Sequence, residues 1–297
     1  VIIGHEKNVE FFKNAIRSNF LVSTYLFVGV DKIGKRTFAN YIASLVLGVE
    51  MDKININPDY HYIKREINEK TEKLRKDISV AQIRKLISQL QGKSWSGGYR
   101  IAIVDEAELL SIKASNALLK TLEEPGEKTI LFLLTNNENR ILPTILSRSQ
   151  KFYFSSVKNE KIREYLKGKD CNELKVEEIV KEAGGTPGKA IDFFESEEEF
   201  NDYKEKKKRI KDLMGMSIYK RFKFLDEFLG SKKKEVKGKD DLVKELDVWI
   251  IELASQLNNK ENKKKIVEII DRVKSAKDLI NKNINPKLVL EQLSINI

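Results

Sequence analysis

Four short stretches of this 297-residue chain carry residue types, at spacings, that suit work on a nucleoside triphosphate. The first is Gly29-Val30-Asp31-Lys32-Ile33-Gly34-Lys35-Arg36-Thr37, a Gly-x4-Gly-Lys loop. Between a strand and a helix, such a loop turns backbone N–H groups and the helix N-terminus toward phosphates, and its lysine reaches the β and γ phosphates. Gly29, Gly34, Lys35, Arg36 and Thr37 are therefore candidate nucleotide-binding residues. The hydroxyl that normally follows the lysine to hold Mg²⁺ is displaced, because Arg36 stands there and Thr37 comes one residue late. The second stretch, Ile101-Ala102-Ile103-Val104-Asp105-Glu106-Ala107-Glu108, is an apolar strand ending in adjacent carboxylates. That arrangement sets Asp105 near a metal and Glu106 near an attacking water, although a strand followed by an acidic helix turn reads the same way. The third, Thr135-Asn136-Asn137, offers Asn136 to a γ-phosphate or its water; a turn uses the same residues. The fourth is Ser147-Arg148-Ser149. An arginine fixed at the edge of a P-loop domain can act in trans on a neighbour's γ-phosphate, whereas alone it is more simply a surface salt bridge.

These residues need a scaffold, and the apolar pattern supplies one. Short runs rich in Ile, Val, Leu, Phe and Tyr at 24–28, 59–63, 101–104, 130–135 and 151–154 predict strands covered on both faces. Amphipathic stretches alternate with them, giving an α/β domain on a mostly parallel sheet over residues 1–155. Ser79 caps a helix over 80–90, and Ser111 caps one that stops at Pro125-Gly126. From 156 to 203 strand signals vanish and short helices over 162–166 and 176–183 lead to Gly184-Gly185-Thr186-Pro187, with Thr186 as N-cap of a further helix. Residues 204–297 read as a helical bundle, with Phe222, Leu225, Phe228 and Leu229, then Leu242, Leu246, Trp249, Ile250 and Leu253, at helical spacing. Lysine-rich stretches at 204–211, 231–239 and 260–265 are expected to be the joints of that bundle.

Composition narrows the class. The single cysteine, Cys171, excludes a disulfide framework and a multi-cysteine zinc module, so the cytoplasm is the expected compartment. No apolar stretch approaches the roughly 18 residues that span a bilayer, and no targeting signal is visible. A net charge of +10 suits contact with nucleic acid, yet acids are interleaved with the lysines, so a solvated surface is the simpler account of it.

Beyond these stretches, Ile2-Ile3-Gly4-His5-Glu6, Tyr25-Leu26-Phe27, Gly97-Gly98-Tyr99-Arg100, Asp105-Glu106-Ala107-Glu108, Asn116-Ala117-Leu118-Leu119-Lys120-Thr121-Leu122-Glu123-Glu124-Pro125 and Ser147-Arg148-Ser149 stand together. With them the chain resembles the bacterial DNA polymerase III clamp-loader family, delta prime type. The resemblance is dense over 1–155, fair at 184–190 and weak in the tail, at Asn285-Pro286-Lys287-Leu288. It implies an AAA+ domain at 1–155, a helical lid at 156–203 and a helical collar for oligomerisation at 204–297. It also implies gamma/tau and delta subunits as partners, the sliding clamp and primer–template DNA being reached through the complex, and Arg148 donated in trans to a motor subunit.

Departures from the motor pattern bear on nucleotide chemistry. Arg36 replaces the metal-binding hydroxyl, and Pro187-Gly188 falls where motors place a nucleotide-sensing arginine, with Lys189 the nearest substitute. The family's four-cysteine zinc insertion is missing between Gly48 and Asn57, and the chain stops short of a tau-type extension. These departures argue against Mg²⁺ and ATP hydrolysis and imply no bound metal, while Lys35, Asp105 and Glu106 leave ATP binding open. Two rival readings are a gamma-type motor ATPase and a basic helical DNA-binding protein.

Overall fold

The computed structural model describes residues 1–68, 72–169, 172–229, 238–258, 263–295 and 297. Cys171 and most of the expected joint at 231–239 lie outside the described residues, as do 260–262 of the last joint. The chain divides into two compact units, Val1–Glu195 and Ser196–Ile297.

In the first unit, α1 (Glu6–Arg17) precedes β1 (Thr24–Val28) and α2 (Lys35–Leu47). Then come β2 (Tyr60–Ile63), β3 (Ile67–Asn68), β4 (Lys73–Leu74), α3 (Val80–Gln91), β5 (Arg100–Val104) and α4 (Ile112–Glu123). β6 (Thr129–Thr135), α5 (Pro143–Leu146) and β7 (Gln150–Tyr153) complete the sheet region. Five strands form one parallel sheet in the order β2-β5-β6-β1-β7. Each coincides with an expected strand to within a residue at either end. The strands are near-continuous apolar runs because both sheet faces are covered. Tyr25, Phe27 and Phe132 pack with Phe12, Phe38 and Ile42 on one face, and Leu26, Leu131 and Leu133 with Leu86 and Leu118 on the other. The β3–β4 hairpin was not expected, since two residues per strand leave no pattern to read.

The helix starts follow their caps. Ser79 and Gln82 form a reciprocal capping box at α3, and the Ser111 hydroxyl accepts the Ala114 N–H at α4. Beyond the sheet, α6 (Asn159–Lys167), α7 (Glu173–Ala183) and α8 (Pro187–Glu195) belong to the same unit. The α7–α8 turn requires glycine at Gly185, whose φ is +77° and whose added Cβ would lie 2.8 Å from the Ser156 side chain.

The second unit contains α9 (Glu197–Gly215), α10 (Ile218–Phe228), α11 (Lys239–Ser255), α12 (Lys263–Asn281) and α13 (Pro286–Ile295). Leu242, Leu246, Trp249 and Leu253 of α11 bury against Ile269 and Val273 of α12 and Leu290 and Leu293 of α13. The lysine-rich stretch 204–211 is not a joint: it forms the middle of α9. Lysine is a good helix former, and this run meets buried carboxylates of α11. Arg209 bridges Glu245 at 2.7 and 2.8 Å, and Lys207 and Lys211 lie 2.8 and 3.1 Å from Glu252. Likewise, 263–265 of the last expected joint already belong to α12. Among the described residues no helix is long and apolar enough to cross a membrane.

Candidate functional site

The glycine-rich loop leaves the C-terminal end of β1, the end of a parallel sheet at which ligands are usually bound. Gly29 passes so close to Phe154 that an added Cβ would sit 2.7 Å from its carbonyl oxygen, and Gly34 adopts φ +106° immediately before α2. Both positions therefore need glycine for backbone reasons. Lys35 opens α2 with only 8% of its surface exposed, and its Nζ donates to the carbonyls of Gly29 at 2.6 Å and Val30 at 3.0 Å. Burial lowers its pKa, while Asp31, Asp105 and Glu108 act in the opposite direction.

The carboxylates arrive from β5 beside this loop. Asp105 accepts the Tyr62 hydroxyl on Oδ2 at 2.7 Å and the Glu106 N–H on Oδ1 at 3.0 Å. Burial, then the hydrogen bond to Asp105, push the Tyr62 phenol pKa strongly upward. Glu106, at φ +53°, turns its carboxylate into a two-pronged pair with Arg65, at 2.8 and 2.6 Å. Arg36 lies over the Tyr62 ring, 4.3 Å from its centroid, and Thr37 is exposed on the first turn of α2. The Asn136 amide donates to both oxygens of Asp31 at 3.2 Å, tying the end of β6 to the glycine-rich loop. One oxygen remains over: Oε2 of Glu108 is buried without a hydrogen-bond partner among the described residues.

These contacts test whether a Mg²⁺ ion would fit. A Mg²⁺ ion at Asp105 needs a carboxylate oxygen and a neighbouring hydroxyl. Asp105 accepts one hydrogen bond on each oxygen and keeps lone pairs for a ligand, but the Arg36 guanidinium, stacked on Tyr62, stands where the hydroxyl belongs. The residues do not fit Mg²⁺.

The short helices close over the same loop. Gly188, the second residue of α8, donates its N–H to the Lys32 carbonyl at 2.8 Å, and Lys32 pairs with Asp192 at 2.5 Å. His5 Nε2 lies 3.2 Å from the Ile33 carbonyl, and burial lowers the His5 pKa. Lys189 lies over the Phe193 ring, 5.4 Å from its centroid.

Gly29, Gly34, Lys35, Arg36, Asp105, Glu106 and Asn136 thus gather at one end of the sheet, and Arg148 does not join them. Gln150, the first residue of β7, pairs with Tyr25, and Arg148 lies in the turn before it, at the other end of β1 from Gly29. From Tyr25 to Gly29 alone is four residues of chain, about 13 Å at ~3.3 Å per residue. At that far end its guanidinium lies 2.8 Å from Glu123 and contacts the Thr144 carbonyl at 3.1 Å and the Ser147 hydroxyl at 3.3 Å. Sequence reasoning missed Asp31, Tyr62, Arg65 and Glu123. Tyr62 lay within an expected strand, but no spacing signalled its bond to Asp105.

The chain shares its fold with a DNA polymerase III gamma-subunit-related protein from Thermotoga maritima, at TM-score 0.54 and 17% identity over 96% of this chain and 97% of that one. It is 33% identical to DNA polymerase III subunit delta' of Pseudomonas aeruginosa over 42% of this chain and 40% of that protein. It is 31% identical to subunit gamma/tau of Mycoplasma genitalium over 55% of this chain and 28% of that protein. The matches therefore span less than half the length of these two relatives. Residues 4–158 fit the family model described as DNA polymerase III, delta subunit. That segment covers just over half of the sequence and contains the glycine-rich loop, the paired carboxylates and Arg148, so the chain belongs to the DNA polymerase III delta-subunit family.

Proposed function

We propose that this chain is a delta prime-type subunit of a bacterial clamp loader, acting in the cytoplasm and lending Arg148 to a triphosphate held by a gamma/tau-type neighbour. In this reading it assembles with motor and delta subunits through the helices of residues 204–297, and the complex sets a sliding clamp on primer–template DNA. The observation that carries the proposal is the position of Arg148, more than about 13 Å along the sheet from its own glycine-rich loop. An arginine side chain cannot cover that distance, so any triphosphate it meets belongs to another subunit. There its delocalised charge would offset the charge that develops on the transferring phosphoryl group. The internal bonds of Asp105 and Glu106 support the absence of hydrolysis at this chain's own loop.

In a reconstituted complex, Arg148→Ala is expected to leave assembly intact, as read by sedimentation, and to lower ATP turnover at the adjoining site about 10³-fold. Unchanged turnover refutes the proposal. The gamma/tau relatives favour a second reading, in which this chain is itself a motor. ATP turnover by the isolated chain, abolished in Lys35→Ala, would establish that reading. The proposed subunit instead binds ATP, if it binds it, without dependence on Mg²⁺, and titration with and without the metal distinguishes the two.

A further inference from the structure

Glu123 and Glu124 end α4, where the last carbonyls already present partial negative charge. Two carboxylates there oppose the helix dipole, and Lys120 is the basic residue of that last turn. Glu123 finds its countercharge on another element: its Oε1 lies 2.8 Å from Nη2 of Arg148. The other terminal nitrogen, Nη1, donates to the Thr144 carbonyl of α5 and meets the Ser147 hydroxyl. The guanidinium is therefore gripped from α4 on one nitrogen and from α5 and its following turn on the other. Side chains of Glu123 and Arg148 are 51% and 37% exposed, and an ion pair so placed contributes little to folding. Its effect is on direction, because an arginine side chain otherwise samples many rotamers.

We propose that Glu123 is a positioning residue for Arg148, holding the guanidinium in the orientation in which it meets a neighbour's phosphoryl group. This rests on the donation of Arg148 proposed above. Thr144 and Ser147 restrain only Nη1, and the plane of the fork still turns about that contact. Glu123, an ion-pair partner 2.8 Å from Nη2, draws the second nitrogen to one side and so limits that turning. Small errors in such alignment lower rate without changing how the neighbour binds its nucleotide.

The test is steady-state ATP turnover by the reconstituted complex, with clamp and primed DNA, carrying Glu123→Ala, Glu123→Gln or Arg148→Ala. Glu123→Ala is expected to lower kcat three- to tenfold, an amount of the order of one freed side chain, with KM for ATP and assembly unchanged. Glu123→Gln keeps the reach but not the charge, and because the contact is an ion pair it is expected to lower kcat as Glu123→Ala does. Adding Glu123→Ala to Arg148→Ala should cause no further loss. A Glu123→Ala complex as active as wild type overturns the proposal, as does a loss through KM or assembly, or a Glu123→Gln complex with wild-type kcat. If Arg148→Ala itself changes nothing, the donation reading has failed. If Arg148→Ala is inactive and Glu123→Ala is not, only the role of Glu123 has failed.

Discussion

The backbone of α8 meets that of the glycine-rich loop at Gly188, and this approach allows a quantitative test. An alanine Cβ there would lie 2.6 Å from the Lys32 carbonyl oxygen, with the Lys32 Cβ and Cα at 3.1 and 3.2 Å. The nearest atom is backbone oxygen, so no side-chain rotation relieves the overlap, and α8 must retreat by at least about half an ångström to approach ordinary contact. That retreat lengthens the 2.8 Å bond from the Gly188 N–H and pulls Asp192 from Lys32. Overpacking costs about 1–3 kcal/mol and the hydrogen bond about 1 kcal/mol, while the gain in helix propensity returns about 1 kcal/mol. The net is a destabilisation of about 2 kcal/mol, or roughly 4–8 °C for a unit of this size. Gly215 ends α9 with nothing within 4 Å of its added Cβ, so Gly215→Ala should be neutral or stabilising and serves as the control. Calorimetry of the full chain supplies the shift. Hydrogen exchange at the Gly188 and Ile33 amides identifies the unit that responds. A Gly188→Ala chain that melts with the wild type and protects these amides equally would refute the reasoning.

Three further outcomes are expected. Arg36→Thr combined with Tyr62→Phe frees Oδ2 of Asp105 and puts a hydroxyl after Lys35, so Mg²⁺ should now tighten ATP binding at least about tenfold by titration calorimetry. Equal affinity with and without the metal contradicts this. Asp59 is 2% exposed and accepts the N–H groups of Trp95 and Ser96 and the hydroxyls of Ser94 and Ser96. Removing its charge in Asp59→Asn should cost about 2 kcal/mol in urea unfolding, and an unchanged midpoint would show that the 94–96 loop holds itself. Burial holds the pKa values of His5 and His61 below 6.5 despite the nearby Glu6 and Asp59 carboxylates. The unfolded chain therefore takes up protons first; this stability is complete above about pH 6.5 and is lost as pH falls toward the folded values. Urea midpoints that do not fall between pH 7.5 and 5.5, or a fall that survives replacement of both histidines by Gln, contradict this assignment.

The strands were legible because covering both sheet faces forces unbroken apolar runs, and the helix starts were legible because Ser79 and Ser111 act on their own next turn. The glycine-rich loop was legible for a similar local reason: Gly29 and Gly34 answer backbone demands within a few residues. Contacts made by side chains far apart in sequence were not. Tyr62 on Asp105, Arg65 on Glu106 and Glu123 on Arg148 join different elements, and nothing in the spacing of either partner anticipates the other. The stretch 204–211 failed in the same way. Its lysines resemble a solvated joint until the buried Glu245 and Glu252 of α11 are known to face it. Charge was legible as composition, whereas its pairing depended on the fold.

The two ends of the sheet differ in what a triphosphate must displace. At the glycine-rich loop, Lys35 already serves two carbonyls, Asp105 has a tyrosine and an amide, Glu106 has Arg65, and Asn136 holds Asp31. Bringing Asp105 and Glu106 into hydrolytic roles breaks charge-assisted bonds worth about 1.5–3 kcal/mol each, before the charge of Arg36 beside the metal position is counted. At the other end, the Arg148 side chain is 37% exposed, and its strongest partner, Glu123, is half exposed. A triphosphate can approach this exposed guanidinium with the Glu123 pair intact, so nothing buried has to be displaced. A motor subunit needs the first end to be available, whereas a donor needs only the second. The distribution of satisfied and accessible charge in this chain therefore supports the proposed donation of Arg148 over turnover at its own loop.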